Sequence, residues 1–425
     1  MVKTFEEANR YVMSFIPKAD EVKFAGQFGL DRQKYLLHLL DDPQDKFPCV
    51  HITGTSGKSS TSYLISSILK EAGYVVGLHI SPHLVSPTER IQINNKPISN
   101  DEFIELVNVV IPHIERMKTS KFGKPTYFEI LVTMTFLAFI RHKIDIAVVE
   151  VGLGGRFDGT NVVKRTLVAV VTNVGLDHTQ ILGDTVEKII DDKKEIIKSG
   201  CVVVSGATQP SVKDIITKKC RDVNVQVRFL DMTKQSHIKL GLLGEFQKQN
   251  ATLAKMTADE LIKKGYRITE KNISDAFECA QIAGRMEVVR KNPLIVLDGA
   301  HNEDKMRALA STFPKCFSYK KLVVILALKK DKDAEKIVPL IAHIADTIIF
   351  TKFTKETDMG SQLCTDPEEL ARLITKKDVG VDHDPIHAFQ GAVASQEEET
   401  AILVTGSLYL VGEMKKALIE KTIIL

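Results

Sequence analysis

Cys49-Val50-His51-Ile52-Thr53-Gly54-Thr55-Ser56-Gly57-Lys58-Ser59-Ser60 is the stretch on which the fold turns. The apolar run ending at Ile52 predicts a buried strand. It stops at Thr53-Gly54, and a helix-forming run begins near Lys58. A glycine-rich turn between strand and helix leaves several backbone N–H groups unpaired and pointing one way. With the positive end of the helix dipole they cradle phosphate. Lys58 adds a point charge for the β- and γ-phosphates, and the Ser59 hydroxyl can meet Mg²⁺. The pattern is Gly-x-x-Gly-Lys-Ser, shorter than Gly-x-x-x-x-Gly-Lys-[Ser/Thr], because Ile52 stands where the first glycine would be.

Downstream, the helix over 58–72 stops at Gly73, and 74–79 reads as a second strand. That is a βαβ unit, so a parallel sheet is expected. Further strands are read at 144–151, 167–174 and 201–205, and helices at 101–117 and 126–142. Asp184-x-x-Glu187 reads as a capping box for a helix running to about Lys198. Upstream, residues 4–40 read as mostly helical. A break falls at Phe28-Gly29-Leu30-Asp31, with Asp31 capping a helix over 32–40. Helices follow at about 245–264 and 274–280. Near Gly284 the pattern restarts, with short apolar strands at 294–297, 322–327, 347–351 and 401–405. The expected architecture is α/β: a P-loop parallel-sheet domain over 1–284, then a smaller Rossmann-like α/β domain over 285–425. The boundary lies near residues 282–290. The acidic run Gln396-Glu397-Glu398-Glu399 reads as a solvated surface stretch.

At 425 residues the chain has room for two or three domains. Hydrophobic residues make up 44% and charged residues 26%, as in an ordinary soluble globular protein. The net charge of +3 gives no reason to expect nucleic acid or an anionic membrane as partner. Cys49, Cys201, Cys220, Cys279, Cys316 and Cys364 are scattered, with no Cys-x-x-Cys pair, which fits reduced thiols better than disulfides or zinc. No signal-type apolar core or membrane-spanning run is read, and a cytoplasmic location is expected.

In an open parallel sheet, ligands sit outside the carboxyl ends of the strands. Chemistry-bearing residues recur there: Lys58 and Ser59, then Ser81 and His83, then Glu150, then Asp177 and His178. Each also has a plain structural alternative. Glu150 could cap a helix or pair with Arg156, His178 could be a satisfied core histidine, and Ser81 could be a turn residue before proline. Their recurrence on the edge that carries the phosphate loop favours a site. Mg²⁺ takes hard oxygen ligands plus phosphate oxygens, so one carboxylate and one hydroxyl are reasonable donors; a histidine would fit Mn²⁺ tolerance.

Taken in order, Gly54-Thr55-Ser56-Gly57-Lys58-Ser59-Ser60, Ser81-Pro82-His83-Leu84, Glu89-Arg90-Ile91, Glu150-Val151-Gly152-Leu153-Gly154-Gly155-Arg156, Asp177-His178, Gly244-x-Phe246-Gln247-x-x-Asn250, Gly284-Arg285-x-Glu287, Asp298-Gly299-Ala300-His301-Asn302 and Gly406-Ser407-Leu408-Tyr409 resemble folylpolyglutamate synthase/dihydrofolate synthase, a branch of the Mur ligases. The resemblance covers nearly the whole chain. It implies an ATP-dependent ligase that joins L-glutamate to a pteroate or folate carboxylate through an acyl phosphate. It further implies that Gly54 to Ser60 hold the phosphates, that Ser81, Glu150 and His178 are metal ligands, and that Asn250, Arg285, Asp298 and His301 contact ATP. Lys58, Glu150, His178 and Lys193 are the expected catalytic residues. Thr126, Tyr127, Phe128 and Glu129 are expected to line the pterin side of the substrate site, with a buried helix start as the alternative. Ser407 is a further substrate residue. Lys193 stands where the family has a carbamylated lysine, although it lies in the charged run Asp191-Asp192-Lys193-Lys194-Glu195, where a surface lysine is the alternative. ATP, Mg²⁺ and a monovalent cation such as K⁺ are the implied cofactors, and a monomer is expected. Ser56 and Ser59 replace the family's usual Asn and Gly, so either Ser59 or Ser60 could face the metal. Two other classes stay open: a Mur-type ligase on a different carboxylate, and a nucleotide-binding switch without ligase chemistry.

Overall fold

The structure, a computed structural model, describes residues 1–18, 25–231, 239–353, 364–375, 378–394, 399–420 and 422. The chain divides into two units: Met1–Gly241 with Gln247–Ala280, and Leu242–Phe246 with Gln281–Leu425.

The first unit is built on strands β1 (Cys49–Thr53), β2 (Val76–His79), β3 (Ile91–Ile93), β4 (Lys96–Pro97), β5 (Ile146–Glu150), β6 (Thr166–Val171), β7 (Val202–Ser205) and β8 (Val227–Phe229). They form one sheet in the order β4-β3-β2-β5-β1-β6-β7-β8. Its helices are α1 (Phe5–Met13), α2 (Gly26–His38), α3 (Lys58–Glu71), α4 (Asn100–Lys118), α5 (Tyr127–Arg141), α6 (Thr179–Leu182), α7 (Val186–Lys193), α8 (Pro210–Asp222), α9 (Glu245–Lys263) and α10 (Glu270–Glu278). β1 lies between β5 and β6, parallel to both. Every residue of β1 and β5 is buried, which is why both read as unbroken apolar runs rather than alternating ones. Val132, Phe136 and Phe139 of α5 share a core with Ala147 and Val149 of β5. Ile189 and Ile190 of α7 share another with Ala169 and Val171 of β6.

The second unit carries β9 (Glu287–Lys291), β10 (Leu294–Leu297), β11 (Lys321–Leu326), β12 (Thr347–Phe350), β13 (Asp378–Val381) and β14 (Thr400–Thr405), in the order β13-β12-β11-β14-β10-β9. Its helices are α11 (Glu303–Cys316), α12 (Ala334–Ala342), α13 (Pro367–Ala371), α14 (Pro385–Ala394) and α15 (Leu408–Ile419). Met306, Leu309 and Phe313 of α11 pack with Val324, Leu326, Ile348, Phe350 and Leu403 from the strands.

Several expectations are corrected. Each sheet is parallel except at one side: β3 runs antiparallel to β2 and β4, and β9 to β10. β3 and β4 are only three and two residues long, and β9 is nowhere fully buried, so none shows a long buried apolar run. Residues 28–31 do not break a helix; they lie inside α2. Gly29 faces Ala25 and the Glu129 carboxylate, where a Cβ would make ordinary contacts at 3.4 and 3.8 Å, so it does not mark a break. Asp31 is no cap; it accepts from Gln27 Nε2 one turn earlier, at 2.8 Å. α7 is capped by Thr185, whose hydroxyl accepts from Lys188 N–H, while Asp184 pairs with the Lys188 side chain. α7 ends at Lys193, and a short 3₁₀ turn, Lys194–Ile196, follows. α10 begins four residues before the expected 274, with Thr269 as its cap. Of the run expected to be a solvated surface stretch, residues 396–398 lie outside the described residues and Glu399 is exposed.

Candidate active site

β1 delivers the chain to Gly54, whose φ is +151°; a Cβ there would overlap Thr172. Gly57, at φ +81°, is the cap of α3, and a Cβ on it would overlap the Asn250 side chain. Both positions therefore require glycine. The loop between them is strapped from outside by residues just past β6. Asn173 Oδ1 accepts from Ser56 N–H at 2.7 Å, Thr172 Oγ1 donates to the Ser56 carbonyl at 2.6 Å, and Thr55 Oγ1 donates to the Gly175 carbonyl at 3.0 Å. Sequence reasoning named none of Thr172, Asn173 and Gly175 as site residues; their signal was a polar run at the end of a buried strand.

Two ammonium groups converge on one atom of this loop. Lys58 Nζ donates to the Gly54 carbonyl at 3.1 Å, and Lys193 Nζ donates to the same oxygen at 3.1 Å. Lys193 is therefore no surface lysine; it is 4% exposed. Burial and then the neighbouring Lys58 charge pull its amine down to about 7. The glycines of the β5 loop make room for it. A Cβ on Gly155 would stand 2.7 Å from the Lys193 carbonyl oxygen and 2.9 Å from its Cα.

Glu150 ends β5 and is 1% exposed. Its Oε1 accepts from Ser59 Oγ at 2.9 Å and its Oε2 from the Ser81 backbone N–H at 3.2 Å. Glu150 does not pair with Arg156, which binds Asp191 Oδ2 at 2.9 Å and lies 3.8 Å from Glu195. Of the two candidate serines, Ser59 meets the carboxylate, while Ser60 is buried in α3. Asn250 lies against Gly57 and donates to Gln247 Oε1 at 2.8 Å. His178 stands exposed at the start of α6, with φ +52° and its N–H on the Asp177 carboxylate at 3.0 Å. His83 Nδ1 accepts from Arg90 Nε at 2.9 Å. Among the described residues no three His, Cys, Asp or Glu side chains form a preformed metal cage. A buried carboxylate with a serine hydroxyl suits a hard cation that completes its shell with phosphate oxygens and water.

Thr126 caps α5, and Glu129 closes a capping box with it. The Glu129 carboxylate is also held by Arg32, Nε at 2.8 Å and Nη2 at 2.9 Å. Tyr127 is buried under the Arg90 guanidinium, 5.5 Å from the ring centroid. Phe128 is partly exposed and abuts Gly152, where a Cβ would stand 2.6 Å from its ring. This places the segment beside the loop that follows Glu150. Three buried acceptors of this unit, one of them beside Phe128, were not singled out by sequence reasoning. His79, 6.2 Å from the Phe128 ring, faces the Arg90 carbonyl with Nδ1 at 3.0 Å. Nδ1 therefore carries the hydrogen, and Nε2 keeps a lone pair that no donor among the described residues meets. Burial, then the Arg90 charge, lower its pKa to about 3. Thr160 Oγ1 donates to Asp158, so it accepts from His51 Nε2, leaving His51 Nδ1 as a second such acceptor. Gln33 Oε1 is a third.

In the second unit, Asp298 ends the β10 run and is 4% exposed, with both oxygens occupied: Met286 N–H and Ala300 N–H donate at 2.8 Å each. Burial raises its pKa, against the pull of the Arg285 charge. Gly299 lies between Arg285 and Leu408; a Cβ there would stand 2.9 Å from Arg285 Nη1. His301 Nδ1 donates to the Gly299 carbonyl at 2.7 Å, and Ser407 caps α15 by accepting from Tyr409 N–H at 3.1 Å. The four expected residues Arg285, Asp298, His301 and Ser407 thus lie around one turn of chain.

A phosphate loop whose lysine meets a second, buried lysine, with a carboxylate and a hydroxyl on the adjoining strand end, defines a P-loop ATP-dependent ligase of the Mur type. Residues 52–225 match the Mur ligase middle domain, and residues 281–417 match the dihydrofolate synthetase C-terminal domain. The dihydrofolate synthase/folylpolyglutamate synthase of Bacillus subtilis is 35% identical over 93% of this chain and 96% of its own. The dihydrofolate synthetase of Saccharomyces cerevisiae is 30% identical over 91% and 97%. Among solved structures, the Mycobacterium tuberculosis folylpolyglutamate synthase complexed with ADP superposes with a TM-score of 0.87 at 27% identity, covering 97% of each chain. An FPGS–AMPPCP–folate complex superposes with 0.82 at 27% identity, over 98% of this chain and all of that one. The chain belongs to the dihydrofolate synthase/folylpolyglutamate synthase family of ATP-dependent ligases.

Proposed function

We propose that this chain joins L-glutamate to dihydropteroate, to tetrahydrofolyl-polyglutamate, or to both. A substrate carboxylate oxygen attacks the γ-phosphorus, the bond to ADP breaks, and an acyl phosphate forms. The glutamate amine then attacks the acyl carbon, and phosphate leaves with one carboxylate oxygen. Two anions must meet in the first step, so positive charge has to offset their repulsion. The observation that carries the reading is the Lys58 ammonium on the Gly54 carbonyl, beside Glu150 and Ser59, with the buried Lys193 amine at the same oxygen.

Gly54 to Ser60 hold the phosphates, with Asn250 behind Gly57, and Arg285, Asp298 and His301 contact ATP from the second unit. Ser59, Ser81, Glu150 and His178 would hold Mg²⁺, which when bound would neutralise phosphate charge. A K⁺ requirement belongs to the same reading, and replacing K⁺ by Na⁺ tests it. Lys193 at a pKa of about 7 has a ready supply of neutral amine. Its lone pair can attack CO₂ and lose one N–H proton to solvent, leaving a carbamate anion. Phe128 with Thr126, Tyr127 and Glu129 lines the pterin side; the acceptors of His51, His79 and Gln33 suit a substrate edge rich in N–H donors. Ser407 serves the glutamate side. The region 1–284 acts as the ATP-binding domain and 285–425 as the glutamate-ligase domain. The protein works as a cytoplasmic monomer on small molecules, without nucleic acid or membrane partners; no helix among the described residues is long and apolar enough to cross a membrane.

The test is ADP release, with product mass, using dihydropteroate or tetrahydrofolate plus glutamate. Glutamate-dependent release with a product heavier by one glutamyl residue supports the proposal. Release with neither acceptor refutes it.

A further inference from the structure

α11 opens on its cap Asn302, whose Oδ1 accepts from Lys305 N–H at 3.0 Å. His301 stands one residue before that cap. Its Nδ1 lies 2.7 Å from the Gly299 carbonyl, so Nδ1 carries the hydrogen and Nε2 presents a lone pair. That lone pair lies 3.0 Å from Lys305 Nζ. An ammonium has only N–H groups to give, so the lysine donates and the imidazole accepts. The ring is gripped at both nitrogens.

Helix stability does not explain the lysine. The first turn of a helix is its positive end, where a cation is disfavoured. Glu303 and Asp304 are the acidic residues that suit this turn, and Glu303 already pairs with Arg307 at 2.7 Å. Lys305 nonetheless brings its charge to His301. Among the described residues, Arg285 lies against Gly299, and Asp298 lies in the field of both Arg285 and Lys305.

We propose that Lys305 is a positioning residue of the second unit's nucleotide site, holding His301 as the neutral Nδ1–H tautomer with its ring fixed between the Gly299 carbonyl and the Lys305 ammonium. The proposal rests on His301 serving ATP. A proton on Nε2 would set two donors and two positive charges face to face, so the lysine keeps His301 neutral into the acid range. Removing the lysine takes that donor and its charge away from Nε2.

The test is kcat/KM for ATP from pH 5.5 to 8.5 in the full chain, with melting temperatures to show that each variant folds. Lys305→Met should lose about threefold at pH 8 and about thirtyfold at pH 5.5. The extra loss should follow an acidic limb with its midpoint at about 6.5, the ordinary value for an imidazole, and fall on KM rather than kcat. Lys305→Arg should follow the parent profile, and the limb should vanish when His301→Ala is added to Lys305→Met. A Lys305→Met profile parallel to the parent overturns the inference while leaving the ATP reading intact. If His301→Ala alone leaves kcat/KM for ATP unchanged, the reading and the inference both fall.

Discussion

Lys193 concentrates the chemistry at the scale of single residues. Its amine is held down by burial and by Lys58, so the neutral form predominates above pH 7 and is lost as the pH falls below that value. A carbamate needs the neutral form. Activity in bicarbonate-depleted buffer should therefore be restored by added bicarbonate at pH 8, and much less so at pH 6. Lys193→Ala should lower turnover by about 10³-fold while ATP binding, read by calorimetry, persists; ordinary turnover in Lys193→Ala would remove the residue from the mechanism. Ser59→Ala should raise the Mg²⁺ concentration needed for half-maximal rate, and Ser60→Ala should not, because only Ser59 meets Glu150. The sequence carried the identities of Lys58, Glu150 and Lys193 through motif order. It could not carry the shared contact on Gly54, because 139 positions separate that glycine from Lys193. The charged run around Lys193 suggested a surface; the three- and four-residue spacing within α7 instead turns Lys193 inward with Ile190 and Ile189.

Among elements, the glycine loop after β5 and the start of α7 form one fitted joint. Gly155→Ala would press a methyl group onto the Lys193 backbone, and overpacking of this kind costs about 1–3 kcal/mol. A fall in both melting temperature and turnover is expected; an unchanged protein would show that the joint yields freely. Thr185→Ala should cost about 1 kcal/mol of stability as a lost cap, and Asp184→Ala clearly less. Denaturant midpoints decide between them, and the reverse ranking would reinstate Asp184. Long buried elements such as α5 and β5 were legible because their apolar runs have no competing reading. α2 was not, since Gly29 and Asp31 imitate a break that packing against α5 overrides. The outer strands β3, β4, β8, β9 and β13 were missed because they are short or only partly buried and so carry no buried apolar run.

In the whole molecule, each unit gathers its chemistry-bearing residues at strand ends. The first sets Ser59, Ser81, Glu150 and Lys193 around the phosphate loop, and the second sets Arg285, Asp298, His301 and Ser407 around the turn after β10. Two α/β units were legible from the restart of strand pattern near Gly284. The buried acceptors of Gln33, His51 and His79 were not, because they come from α2, β1 and β2, apart in the sequence. A native mass near 47.3 kDa at micromolar concentration is expected for a monomer.

The central claim is that a substrate carboxylate takes the γ-phosphoryl group before glutamate arrives. Turnover of a pteroate or folate substrate labelled with ¹⁸O in the reacting carboxylate, in unlabelled water, tests it most directly. One labelled oxygen should appear in the released phosphate for each amide formed. Amide formed with unlabelled phosphate would contradict it.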